Sequence, residues 1–282
     1  MIFGRSRAAA ASVTMAVTLS LACGAEPAPV ASPSVAPARS EPGGALVAEA
    51  PADASALPEG ADAAHDGPTP GIPGPDDTPP THFEGREIAQ TMSFLGAGWL
   101  TRSNRDDEED TTTLHRALAL RPGQTACDVG AGNGYHTVRM AKAVGPTGRV
   151  LAVDIQPQML AMLRAAADEQ GLDNVETIEA RPGDPRLPAG ACDLILLVDV
   201  YHELAWPEPM LAGFRRALSA TGRLALVEYR AEDPDVPIKR LHKMSKAQIE
   251  RELGPRGFSL AESFDGLPWQ HLLLYERDDA QP

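Results

Sequence analysis

The sequence predicts an α/β fold: a mostly parallel sheet of about seven strands, helices on both faces, and an antiparallel C-terminal edge. Two observations carry this reading. Short apolar runs recur along the second half, and one of them, CDLILLVDV from residue 192, is apolar without alternation, as a strand covered on both faces must be. Between the runs lie helical patterns with clear stops, and strand–helix alternation at this spacing builds a parallel sheet.

The elements follow in order. TACDVG (125–130) is the first strand, and a helix over Tyr135–Val144 ends at Gly145-Pro146. VLAVD (150–154) is the second strand. The helix over Pro157–Gln170 opens with proline at a first-turn position, where the missing N–H costs nothing, and stops at Gly171. VETIEA (175–180) is a weaker strand, CDLILLVDV a strong one. A helix over Glu208–Leu218 then carries Met210, Leu211, Phe214 and Leu218 and stops at Thr221-Gly222. GRLALVEY (222–229) is the next strand, and Ser245 with Gln248 three residues on reads as a capping box opening a helix to Leu253. FSLAESF (258–264) and QHLLLYE (270–276) form the antiparallel edge. Ahead of this domain (residues 121–282), residues 81–120 read as a cap of two helices, Glu84–Leu95 and Asp106–Leu120.

The N-terminal third has another character. Arg5 and Arg7 precede an apolar run over 8–22, too short to span a bilayer comfortably and right for an export signal. SLACG then places Cys23 where a lipoprotein-type signal would be cut and lipidated, anchoring the chain to a membrane; Ser20 stands where leucine is usual. Residues 24–80 hold 13 of the 26 prolines, nine acids, one arginine and no aromatic residue. So little apolar surface cannot offset the entropy of ordering, and the segment reads as a disordered Pro/Ala-rich tether. This places the protein in a bacterial cell envelope, lipid-anchored or periplasmic; a plain cytoplasmic protein is the alternative. Cys127 and Cys192 lie in apolar strand-like runs and read as buried free thiols.

A formal net charge of −14 over 282 residues makes nucleic acid a poor partner, because its phosphates are repelled. A small molecule is the better expectation.

The stretch CDVGAGNGYH (127–136) carries the chemistry. Three glycines, Gly130, Gly132 and Gly134, alternate in one tight turn, which lets backbone approach a ligand without a Cβ in the way. The third comes too early for the dinucleotide fingerprint, and no G-K-[ST] follows for a P-loop, so a pyrophosphate binder such as a nicotinamide-dependent oxidoreductase is disfavoured. Instead Asp128 precedes the glycines, Asp154 ends the next strand 26 residues on, Gly183-Asp184 follows the third, and Asp199 ends the fourth.

This series resembles the motifs of the S-adenosylmethionine-dependent methyltransferases with a Rossmann-like fold, over residues 92–275. The resemblance implies S-adenosylmethionine as cofactor. It implies that Asp128 serves the ligand's ammonium, Asp154 both ribose hydroxyls, Ile155 and Asp184 the adenine, and Asp199 the methyl-donor end. MSFLGAGWLTRSNRDDEE, VDVYHE, IKRLHKMS and LPWQH further resemble a bacterial group of such enzymes with unassigned substrate. The implied activity is methyl transfer to a small-molecule or lipid-like acceptor; a binding module that keeps the fold without catalysis is the alternative.

His202, just past the fourth strand, is the first choice for a base, because an imidazole titrates near working pH. Tyr201 and Glu203 are the alternatives. His242 and His271 fall near the same edge, but the histidines share no ligand spacing, so no metal is expected. Trp99 reads as part of a lid with Arg102 or Arg105 meeting an anionic substrate group, or else the acids 106–110 simply open a helix.

Overall fold

In the computed structural model, residues 72–74 and 77–278 are described, all within one compact unit spanning residues 63–282. The signal, Cys23 and most of the tether lie outside the described residues. The end of the expected tether is described, and it lies on the domain: Gly183 sits so close to Pro73 that an added Cβ would meet its ring at 2.5 Å. Among the described residues no helix is long and apolar enough to cross a membrane.

The expected helix over 84–95 is absent. Instead β1 (His82–Phe83) and β2 (Arg86–Glu87) form an antiparallel hairpin. Glu84 and Gly85 turn it with φ of 46° and 87°, the pair of left-handed residues that a two-residue hairpin loop needs. A 3₁₀ stretch follows over Phe94–Thr101, its start capped by the Ser93 hydroxyl. The second cap helix is there but split, into α1 (Arg105–Glu109) and α2 (Thr111–Leu118). Asp110 sits between them in a left-handed conformation, and its carboxylate accepts from the Thr113 N–H to cap α2.

The domain proper runs β3 (Thr125–Val129), α3 (Tyr135–Val144), β4 (Arg149–Asp154), α4 (Pro157–Glu169), β5 (Val175–Glu179) and β6 (Cys192–Val198). It continues with α5 (Pro207–Ala217), β7 (Leu218–Tyr229), α6 (Lys246–Leu253), β8 (Phe258–Phe264) and β9 (Gln270–Arg277). The sheet order is β5-β4-β3-β6-β7-β9-β8. The first five strands are parallel, and β9 runs antiparallel to both β7 and β8, giving the expected C-terminal edge.

Strand alternation feeds two cores. On β6, Ile195 and Leu197 pack with Leu211 and Phe214 of α5 and with Ile249 and Leu253 of α6. Leu194 and Leu196 point the other way, to Leu114, Leu118, Met140 and Val144 of α2 and α3. This double burial is why the β6 run is apolar throughout.

Cys127 and Cys192 are not free thiols. They form a disulfide between the neighbouring strands β3 and β6, with Cα atoms 5.9 Å apart. The β6–β7 ladder shifts register between Cys192 and Leu194, and Cys192 joins the same core as Cys127. A sequence separation of 65 hid the pairing along the chain.

The chain runs β3, β4, β5 outward in one direction and then returns to place β6 on the other side of β3. The loops leaving β3 and β6 therefore diverge at a topological switch point, where open parallel sheets bind ligands.

Candidate active site

A cleft of about 810 Å³ opens at this switch point. The loop after β3 forms its floor. The Gly130 and Ala131 N–H groups donate to the Val153 carbonyl, which folds the loop back over β4. Gly130 has φ of 70°, and a Cβ there would strike the Val200 side chain at 2.5 Å. Gly132 has φ of 55°, and a Cβ would strike Leu100 at 2.7 Å. Both glycines line the cleft. Gly134 does not: it starts α3 and lets that helix lie against Leu163 of α4, so its role is packing.

Asp154, at the end of β4, faces the cleft and is almost fully buried. One carboxylate oxygen accepts from the Gly132 N–H at 2.9 Å and the other from the Gln156 N–H at 2.8 Å. Each oxygen keeps a lone pair for a further donor, such as a diol. Burial raises its pKa against the pull of those N–H groups. Ile155 beside it is about half exposed and lies on the cleft wall, a flat apolar contact for a planar ring.

Two expected ligand contacts fall elsewhere. Asp128 lies beneath the loop, buried, and accepts from the Thr137 hydroxyl of α3. It braces loop against helix and does not line the cleft. Asp184 accepts from the Arg186 N–H in its own turn, and Gly183 and Pro182 supply the wall at that point.

Burial, against the Thr137 hydrogen bond, raises the Asp128 pKa from an ordinary 3.8 to about 6. The folded state thus favours the neutral acid. That contribution to stability is full below pH 4 and is lost as pH rises through 6. Asp128→Asn is expected to flatten the stability profile over this window and to stabilise the fold at pH 7 by up to roughly 3 kcal/mol. Denaturant melts at pH 4 and pH 8 check this; an unchanged pH dependence would count against it.

The other end of the cleft is built from the ends of β6 and β7. Asp199 has φ of 54° and turns its carboxylate inward. Its Oδ2 accepts from the Gln270 amide at 2.7 Å, while its buried Oδ1 has no protein partner. An unmatched buried acceptor is costly and points to a donor supplied by a ligand. Burial, with Glu109 and Glu228 near, raises its pKa well above the carboxylate range.

His202 follows on a short 3₁₀ turn, Tyr201–Glu203. Its Nδ1 lies 2.6 Å from Oε2 of Glu228, a fully buried residue of β7. Nε2 faces His242 Nδ1 at 3.1 Å. Burial opposes a charge on His202, but the Glu228 carboxylate outweighs it and the pKa is raised. A proton held on Nδ1 leaves Nε2 bare to accept one. Burial raises the Glu203 pKa; Glu203 also lines the cleft, and its Oε2 accepts from the Met92 N–H at 3.1 Å.

Tyr201 points away. Its ring is buried in the core and its hydroxyl donates to Glu252 of α6 at 2.8 Å, so it has no access to the cleft. His271 lies on β9, fully buried and off the cleft wall.

The expected anion-binding arginines are already engaged. Arg102 stacks on Trp99 at 3.9 Å and pairs with Glu108 and Glu109. Arg105 pairs with Glu109 at 2.8 Å and donates to the Leu100 carbonyl. Trp99 and Leu100 do form part of the cleft wall. The hairpin holds the histidine turn from outside: Arg86 pairs with Glu252 and donates to the His202 carbonyl, which also accepts from the Ala89 N–H.

Sequence reasoning missed Glu109, Gln156 and Tyr229 as wall residues and Glu228 as the partner of His202. Tyr229 carries the signal already used for Asp154 and Asp199, a polar residue at a strand's C-terminal end. Glu109 carries none, since it sits among four other acids.

Residues 120–274 match a family model described as a methyltransferase domain. The chain belongs to that methyltransferase family. Its fold is that of the S-adenosylmethionine-dependent methyltransferases. Among solved structures, the chain is similar to a SAM-dependent methyltransferase from Aquifex aeolicus, with TM-score 0.62 and 23% identity over 66% of this chain and 98% of that one. Among curated relatives it is 32% identical over 111 residues to a ubiquinone/menaquinone biosynthesis C-methyltransferase of Enterobacter sp., covering 39% of this chain and 44% of that one. It is 33% identical over 109 residues to the nocamycin O-methyltransferase of Saccharothrix syringae, covering 38% of each. The chain thus spans less than half the length of these two relatives.

Proposed function

We propose that this chain methylates a small-molecule or lipid-like acceptor by direct in-line transfer, leaving S-adenosylhomocysteine. One observation carries the reading: a glycine floor that tolerates no Cβ runs between a diol-ready carboxylate, Asp154, and an unmatched one, Asp199. S-adenosylmethionine, when bound, supplies an already activated methyl group. The residues therefore have to place the acceptor and take its proton. Asp154 and Ile155 hold the nucleoside end, and Asp199 faces the methionine end. His202, oriented by Glu228, accepts the acceptor's proton at Nε2, with Glu203 beside it. Asp128, Gly134 and Asp184 keep the loops in shape.

The location belongs to the same proposal: an exported domain, held at a membrane through lipidated Cys23. The Cys127–Cys192 disulfide supports it, because such bonds persist in oxidising compartments and are rare in the cytosol.

Calorimetric titration of the full chain with S-adenosylhomocysteine tests the function. One site per chain is expected, and Asp154→Ala should weaken it roughly 10- to 100-fold, the cost of losing charge-assisted hydrogen bonds. An intact chain that binds none of this ligand would end the methyltransferase reading. Binding without label transfer from methyl-labelled donor to a metabolite extract would instead favour the non-catalytic module.

A further inference from the structure

We propose that His202, Glu203 and His242 form a site for a divalent transition-metal cation, with zinc as its reference ion, at the acceptor end of the cleft. Along the chain these residues show no ligand spacing, which is why no metal was expected from the sequence. The fold brings them together: His202 and Glu203 sit on one turn after β6, and His242 on another after β7.

The three donor atoms form a compact triangle with one shorter edge. His202 Nε2 lies 3.1 Å from His242 Nδ1, Glu203 Oε1 lies 3.8 Å from the first, and it lies 3.7 Å from the second. A point equidistant from all three is about 2.1 Å from each, the bond length zinc takes to imidazole nitrogen and carboxylate oxygen. Two imidazoles and a carboxylate select such ions over magnesium or calcium, which prefer all-oxygen shells.

Two of the ligands are held from behind. Glu228 Oε2, 2.6 Å from His202 Nδ1, fixes the proton there and aims the Nε2 lone pair at the centre, the usual carboxylate–histidine–metal arrangement. Glu203 uses its other oxygen on the Met92 N–H, leaving Oε1 for the cation. A plain histidine–histidine hydrogen bond would use only one edge of the triangle. It would leave Oε1 too far from either ring for a hydrogen bond.

The site has an open side. The His242 side chain is 35% exposed. His242 and Glu203 line both the main cleft and a second cavity of about 700 Å³. Three protein ligands with an open position are the pattern of reactive rather than structural metal sites. If the methyltransferase reading holds, a bound cation takes up the His202 Nε2 lone pair and replaces that nitrogen as the group that activates the acceptor: it would hold the acceptor's oxygen, nitrogen or sulfur as an anion, the proton passing to solvent water, beside the donor's methyl group. Metal binding itself does not depend on that reading.

The test uses the full chain, stripped with a chelator and dialysed against zinc chloride, with metal analysis and chelator competition. One zinc per chain is expected, together with a cobalt(II) spectrum of a nitrogen/oxygen site. His242→Ala, at a partly exposed position, should weaken zinc binding at least 10-fold and abolish the cobalt bands. Glu228→Gln, which touches no metal, should weaken it roughly 10- to 100-fold. Absence of zinc, or equal binding by wild type, His242→Ala and Glu203→Gln, would overturn the site. S-adenosylhomocysteine titration of the same samples separates the two claims. Zinc without nucleoside binding refutes the function and leaves the site standing; nucleoside binding without zinc does the reverse.

Discussion

His202→Gln is expected to lower methyl transfer by roughly 10²- to 10⁴-fold, the range that a positioned proton acceptor contributes. Glutamine approximates the imidazole's size and can still hydrogen-bond to Glu228, but it offers neither a basic nitrogen nor a good metal ligand. The loss should fall mainly on kcat, because the proposed nucleoside contacts, Asp154 and Ile155, are untouched by the change. The rate of label transfer from methyl-labelled S-adenosylmethionine into a metabolite extract reads the effect. Glu228→Gln is the companion, since it leaves the ring in place and removes the carboxylate 2.6 Å from Nδ1. It should give a smaller loss in the same direction. Wild-type rates in His202→Gln, with its melting curve unchanged, would remove His202 from the chemistry.

The second large effect concerns stability. Breaking the Cys127–Cys192 bond releases a loop of 65 residues, worth about 4 kcal/mol in the chain-entropy account. For a unit of this size that corresponds to a fall in Tm of roughly 10–15 °C. Scanning calorimetry with and without reductant, and of the Cys127→Ser/Cys192→Ser double variant, measures it. Both thiols are fully buried, so reduction should be slow below the transition. Equal Tm values for oxidised protein and double variant would show that the bond adds nothing.

Much of the architecture was legible in the sequence because its signals are local. Helix starts and stops at Pro157, Gly145 and Ser245 were read from capping chemistry, and β6 from its unbroken apolar run. Asp154 and Asp199 were legible because strand ends in a parallel sheet face one edge, and both line the cleft. Facing was not legible where the period breaks. Tyr201 and His202 are neighbours on a 3₁₀ turn, yet one enters the core and the other the cleft. Asp128 looked like a ligand contact because it precedes the glycines, but β3 directs it towards α3. The Glu84–Leu95 pattern read as a helix because only Gly85 marked the hairpin turn; Glu84 shares the left-handed conformation without a residue type that announces it. The disulfide, the Glu228–His202 pair and the His242 contact all join residues distant in sequence, and no local signal carries them.

The hairpin's hold on the histidine turn has a consequence for where this catalytic unit begins. The family match starts at residue 120, ahead of β3. Yet Arg86 and Ala89 both donate to the His202 carbonyl, and the Met92 N–H fixes Glu203. The buried pair of Arg86 with Glu252 further ties that segment to α6. Excising the family domain at residue 120 would thus strip Leu114 and Leu118 from one core and unmoor the turn that carries His202 and Glu203. The contacts that set the histidine turn are thus partly written in a segment that the family match does not include.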